Sequence, residues 1–279
     1  MVKVGVHVSI AGSIDLAVDR AVQKGCDVFQ VFSRNPRGWN FLPLSESDCL
    51  AFRTKVTQGG LLPVDHMPYL PNLASPKEEV YEKSVATLSA ELKRCEQLGI
   101  PFLVTHLGHH LGAGIAGGRQ RVIRAIRTGL AEADNPVTLL LENTAGEKNS
   151  VGSSFEHIKS IIDGVSEAGR IGICFDTCHA FAAGYDLRTK AGLENSLSRF
   201  EEIIGLSYIR VIHLNDSKGE LGSGLDRHEH IGMGFIGEEG FFRFLHRPEI
   251  RSLPLICETP VDERRDDEGN LKKVRELSR

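Results

Sequence analysis

No apolar run in this 279-residue chain approaches the length needed to cross a bilayer. Met1-Val2-Lys3-Val4-Gly5 leads straight into a strand pattern instead of a signal peptide, so a cytoplasmic protein without a membrane partner is expected. The six cysteines form no Cys-x-x-Cys pair, and Cys26, Cys95, Cys174 and Cys257 sit inside apolar segments. Reduced thiols that serve packing are the reading. An excess of basic charge is also missing. Lys and Arg number 33 against 37 Asp and Glu, a net charge of −4, which excludes a generally basic, sequence-blind nucleic-acid binder. No linker-like or low-complexity segment breaks the chain, so one domain over residues 1–279 is the economical expectation.

What is present is the composition of an ordinary globular protein with a sizeable core, 41% hydrophobic and 25% charged. Eight apolar runs alternate with helix signals. The runs are Lys3 to Val8, Val28 to Phe32, Leu61 to His66, Pro101 to His106, Val137 to Glu142, Ile171 to Asp176, Ile209 to His213 and Pro254 to Glu258. Between them, helix starts are signalled by Ser13, Ser45 with Asp48, Ser75-Pro76-Lys77-Glu78 and Ser153, and stops by Gly25, Gly59-Gly60 and Gly99. A basic helix from about Gly118 to Asp134, one around Leu193 to Ile204, one from Glu238 to His246 and a charged, solvated closing helix from Asp262 to Arg279 complete the pattern. Strands regularly separated by helices make a parallel sheet, and eight such units close into an α/β (β/α)8 TIM barrel.

The last six runs end alike, in His66, His106, Glu142, Asp176, His213 and Glu258. Residues at the carboxyl ends of barrel strands face the mouth, where barrel enzymes carry their active sites. A single His after a strand is more often structural than functional. Six consecutive runs closing on His, Asp or Glu are different, because converging carboxylates repel unless cations or protons lie between them. Three residues after Asp176, His179 shares a face with it on a helical turn. Asp226 and His228, in the long polar connection from Leu214 to His230, point the same way if that segment is extended. Oxygen and nitrogen donors mixed in this way suit divalent metals, zinc foremost and manganese at one or more sites. Three such ions would turn −4 into about +2, concentrated at one place, so a phosphate-bearing substrate is not excluded. Of the other histidines, His109 and His110 read as solvent- or phosphate-contacting, His230 and His246 as structural, and His7 as a donor packed beneath the site.

The chain resembles the endonuclease IV family of metal-dependent apurinic/apyrimidinic DNA repair endonucleases. The matching stretches are Gly5-Val6-His7-Val8-Ser9, Leu139 to Gly146, Asp176 to Asp186, His213-Leu214-Asn215-Asp216-Ser217 and Asp226-Arg227-His228. They run from end to end of the chain and are specific only together. Met233 departs from a polar residue of some relatives and puts no proposed ligand in doubt. The resemblance implies three zinc ions. His66, His106 and Glu142 would hold the first; Glu142 as a bridge, Asp176, His213 and Glu258 the second; His179, Asp226 and His228 the third. Glu142 and Glu258 would act in catalysis through a hydroxide that the metals generate. The implied reaction is hydrolysis 5′ to an abasic site in double-stranded DNA, leaving a 3′-hydroxyl, with removal of 3′ blocking groups. Arg37, Tyr69 and Leu70, on loops after the second and third runs, would wedge into the duplex as the sugar is extruded, the chain acting as a monomer. A sugar isomerase or epimerase of related barrel architecture also explains the strand-end ligands. It leaves Asp226, His228 and the Arg37 loop without a task.

Overall fold

A computed structural model of the chain describes residues 2–165 and 168–279. In chain order the first half holds β1 (Lys3–Val6), α1 (Leu16–Gln23), β2 (Val28–Val31), α2 (Glu46–Gly59), β3 (Leu62–His66), α3 (Glu78–Leu98), β4 (Phe102–Thr105) and α4 (Ile115–Ala133). The second half holds β5 (Thr138–Glu142), α5 (Phe155–Gly164), β6 (Ile171–Asp176), α6 (Thr177–Ala182), α7 (Lys190–Ile203) and β7 (Ile209–His213). A short ribbon of β8 (Asp216–Ser217) and β9 (His228–Glu229) follows, then α8 (Gly237–Leu245), α9 (Pro248–Arg251), β10 (Pro254–Cys257) and α10 (Asp267–Leu277). The eight long strands pair in parallel in the order β1-β10-β7-β6-β5-β4-β3-β2. This is the expected (β/α)8 barrel. No helix among the described residues is long and apolar enough to cross a membrane.

Closure between β2 and β1 depends on a glycine. A Cβ on Gly5 would lie 1.5 Å from the Val28 carbonyl oxygen, a contact no side chain permits. With hydrogen there, the Val8 N–H donates to the Gln30 carbonyl at 2.8 Å and the Asp27 N–H to the Val4 carbonyl at 2.9 Å.

Because side chains alternate across a strand, each strand sends every second residue inward. One inward layer is Val28, Val64, Val104, Leu140, Cys174, Val211 and Ile256, all fully buried. Gly5, in register with Ile256, fills the corresponding place on β1. The outward residues build the larger core beneath the helices. Phe29 of β2 packs on Phe52 of α2 with ring centroids 6.0 Å apart, and Phe175 of β6 on Phe200 of α7 at 5.7 Å.

The helix starts differ in detail from the sequence signals. Ser13 does not cap α1: residues 13–15 form a turn, with the Leu16 N–H donating to the Ser13 carbonyl, and the helix begins at Leu16. The Ser75 hydroxyl accepts from the Lys77 N–H at 3.1 Å and so delays α3 to Glu78. Ser154, not Ser153, caps α5, and Thr189 caps a helix that starts at Lys190, three residues ahead of Leu193. The basic helix likewise starts at Ile115, ahead of Gly118. Ser45 does accept from the Asp48 N–H, at 3.1 Å. The closing helix is solvated on one face only, since Leu271 and Val274 are buried.

Candidate metal centre

One pleat above the apolar layer, the inward positions change character. Two residues beyond each member of that layer stand Gln30, His66, His106, Glu142, Asp176, His213 and Glu258, with His7 two beyond Gly5. The period of two that fills the barrel with valine and leucine therefore also gathers the strand-end His, Asp and Glu into one ring.

Glu142, fully buried, is the hub. Its Oε2 lies 2.9 Å from His106 Nε2 and 3.3 Å from His66 Nε2. Its Oε1 lies 2.9 Å from His213 Nδ1, which is also 3.2 Å from Glu258 Oε2 and 3.9 Å from Asp176 Oδ2. One carboxylate thus turns each oxygen to a different histidine set. Asp176 caps α6 by accepting from the His179 N–H at 2.7 Å, and that short helix carries His179 into the mouth. The β8–β9 ribbon brings Asp226 and His228 back over it. Asp226 Oδ1 is 3.1 Å from His179 Nε2 and 3.5 Å from His228 Nε2.

The donor atoms of His66–His106–Glu142, of Glu142–Asp176–His213–Glu258 and of His179–Asp226–His228 each lie within 4.8 Å of one another. Two ligands on one ion at about 2.1 Å are roughly 3.4 Å apart in tetrahedral geometry, so the observed spacings suit a shared cation. Two further observations agree with that. His179 Nε2 and His228 Nε2 are buried without a hydrogen bond although Asp226 is beside both. And the opposite nitrogens are already committed: His66, His179 and His228 donate Nδ1–H to the carbonyls of Met67, Asn143 and Glu258 at 2.7, 3.0 and 3.1 Å. With Nδ1 so engaged, each ring turns its Nε2 inward, the nitrogen that a metal would take. Cys178 also falls near Asp176 and His228, and burial pushes its thiol up to about 12.

The charges are interlocked. Burial alone would raise Glu142, yet His106 and His213 hold its carboxyl well below the usual range. Burial opposes the ionisation of Glu258 and Asp226 too, and the histidines beside them, His213 and His179 foremost, bring both down to about 2. His179 and His213 move upward against burial, His179 chiefly through Asp176, and His213 through Cys174, Glu258 and Glu142. Without metal, the carboxylates are balanced by protons on imidazoles. Cations at the same place would displace those protons.

A cleft of about 240 Å³ opens over this ring, lined by Phe32, His66, Tyr69, His106, His179, Asp226, His228 and Glu258. Tyr69, 63% exposed, leans edge-on against Phe32 at 4.9 Å, and Phe32 in turn meets His66 at 5.5 Å. The Tyr69 N–H donates to the Pro36 carbonyl at 3.3 Å, which joins the loop of Tyr69 and Leu70 to that of Arg37. Arg37 and Leu70 are both exposed there. Arg34, from the same basic stretch, is instead buried, its Nε 2.7 Å from Glu91 Oε1. It anchors the loop to α3 with Arg94, whose Nε donates to Ser33 Oγ at 2.8 Å. His110 Nδ1 accepts from the N–H groups of Gly112 and Gly114 and folds its own loop. His230 is buried between Asp262 and Asn270, at 2.9 and 3.0 Å, as a structural residue. His7 packs beneath the site as expected for its place in the chain; its Nδ1 accepts from the Gln30 amide nitrogen at 3.2 Å, and burial lowers its pKa to about 4.

Three buried amides were not singled out by the sequence. Asn215 donates to Asp176 Oδ2 at 2.7 Å and accepts from the Glu258 N–H at 2.8 Å. Asn143 brackets the Asp176 backbone, at 2.9 and 3.0 Å. Gln30 joins His213 to Glu258. Its one trace in the sequence is an amide in the middle of the apolar run Val28-Phe29-Gln30-Val31-Phe32, which by itself names no partner.

Residues 18–279 match the family described as xylose isomerase-like TIM barrel. A protein of Methanoculleus marisnigri named "Probable endonuclease 4" is 62% identical over 280 residues, covering 100% of this chain and 99% of the relative. The crystal structure of endonuclease IV from Thermus thermophilus superposes with a TM-score of 0.89 at 35% identity, over 99% of this chain and 98% of that one. A D-tagatose 3-epimerase-like protein superposes at 0.74 with 20% identity over 99% and 98% of the two chains, a likeness of fold alone. With a relative matched at this identity over its whole length, the chain belongs to the endonuclease IV family.

Proposed function

We propose that this chain is a zinc-dependent DNA repair endonuclease. It hydrolyses the phosphodiester 5′ to an abasic site in duplex DNA, leaves a 3′-hydroxyl, and removes 3′ blocking groups. It works as a monomeric, one-domain cytoplasmic barrel with three zinc ions, manganese being compatible with one or more of the sites. The observation that carries the reading is the split of Glu142, whose two oxygens face two separate histidine sets at 2.9 Å each. A carboxylate so divided could hold two cations at once, and membership of the endonuclease IV family supports phosphodiester hydrolysis over sugar chemistry.

His66 and His106 with Glu142, then Asp176, His213 and Glu258 with the same Glu142, and lastly His179, Asp226 and His228 would hold the three ions. Divalent ions bound there lower the pKa of water and offset the charge that develops on a phosphoryl group. The residues do the rest. Glu142 and Glu258, both kept ionised, are the catalytic carboxylates, orienting the attacking water at the floor of the cleft. The backbone carbonyls of Met67, Asn143 and Glu258 hold three imidazole rings with Nε2 turned inward. Tyr69, resting on Phe32 at the rim, joins Leu70 and Arg37 in filling the gap left by the extruded sugar.

The test is incision of a duplex carrying a stable abasic analogue, run beside an undamaged duplex and a ketohexose. Cleavage confined to the 5′ side of the lesion is expected. Epimerisation of the sugar with an intact abasic duplex would overturn the reading.

A further inference from the structure

Gln30 is fully buried in the middle of β2, where an amide costs stability unless every polar group is paired. All of them are. Its nitrogen lies 2.7 Å from Glu258 Oε1 and 3.2 Å from His7 Nδ1; its oxygen lies 2.8 Å from His213 Nε2.

These contacts fix the amide's orientation. An ionised carboxylate only accepts, so the nitrogen must face Glu258 and the oxygen must face His213. An amide oxygen also only accepts, so His213 Nε2 must carry hydrogen. That leaves Nδ1 to face Glu142 Oε1 at 2.9 Å and Glu258 Oε2 at 3.2 Å. His213 is thereby the inverse of His66, His179 and His228, which present Nε2 and give Nδ1–H to backbone carbonyls. Those three tautomers are set by main chain that no substitution removes. The fourth depends on one side chain.

We propose that Gln30 is a positioning residue of the metal ring: it holds His213 with Nε2 protonated and Nδ1 inward, and with the same amide steadies Glu258. This rests on the metal-dependent reading above.

The experiment uses the full chain, labelled with ¹⁵N in histidine and loaded with zinc. His213 is assigned by comparison with His213→Asn. Long-range ¹⁵N–¹H correlation of the wild-type protein is expected to show His213 protonated at Nε2 and bare at Nδ1. Protonation at Nδ1 would overturn the proposal, and this measurement needs no variant to fold at position 30. In Gln30→Leu the Nε2–H signature should disappear, and one phase of chelator-driven zinc release should quicken by about 10–100-fold, the usual cost of losing a ligand's supporting partner. Gln30→Glu retains an acceptor for His213 and should keep the Nε2–H signature. Unchanged spectra and release rates in Gln30→Leu would also overturn it. A wild-type chain that takes up no zinc would instead sink the metal reading on which the proposal stands.

Discussion

Two layers of side chains in this barrel lie one pleat apart, roughly 7 Å along the strands, and could hardly differ more. The lower is Val28, Val64, Val104, Leu140, Cys174, Val211 and Ile256, closely packed and without charge. The upper, on the same strands two residues later, carries two of the candidate ligand groups with His7 and Gln30 beside them, and α6 and the β8–β9 ribbon add the third, His179, Asp226 and His228, over it. The lower layer stabilises the fold by removing apolar surface from water. The upper one balances opposed terms: burial works against ionising Glu142 and Glu258, and the histidines beside them offset that penalty. Fold and chemistry are thus separated by a single step of the strand period.

The sharpest break of this division is on β5. Glu142→Gln keeps shape and removes the charge shared by two histidine sets. Turnover of an abasic duplex should fall by at least about 10³-fold, about 4 kcal/mol of transition-state stabilisation, with loss of bound zinc by elemental analysis. Near-normal incision with full zinc content would remove Glu142 from its bridging role. One pleat below, Leu140→Ala should do the reverse. A buried leucine truncated to alanine costs about 2–5 kcal/mol, read as a lower unfolding midpoint, while zinc content and kcat of the folded enzyme stay within a few-fold. A large loss of zinc with an unchanged midpoint would mean that the layers are not separable. The smallest effect belongs to the rim. Arg37→Ala, Tyr69→Ala and Leu70→Ala should each weaken capture of an abasic duplex by about 1–3 kcal/mol and spare hydrolysis of a small phosphodiester. Equal losses on both substrates would make these residues supports of the mouth and not a wedge.

Much of this was legible in the sequence, for physical reasons. Strand ends are marked where an apolar run meets a charge, so His66, His106, Glu142, Asp176, His213 and Glu258 announce themselves. His179 follows from helical spacing, and Asp226 with His228 from alternation in an extended segment. Gln30 was hidden because a polar residue inside a strand gains meaning only once all eight strands are in register. Arg34 is the converse case: it stands three residues before Arg37 in the sequence, yet it is buried against Glu91. Nothing local to 34–39 distinguishes the two, because the partner lies on α3, more than fifty residues on. Helix starts shifted wherever a serine found a turn to close before a helix to cap, as at Ser75.

The central claim is that the upper layer holds divalent ions and that these are needed for incision. It is tested most directly by stripping the full chain with chelator and following incision of an abasic-analogue duplex as zinc is returned in measured equivalents. The account predicts that stripping abolishes incision and that activity climbs to a plateau at about three equivalents per chain, one for each ligand group. Incision that survives stripping, or that saturates at a single equivalent, would contradict it.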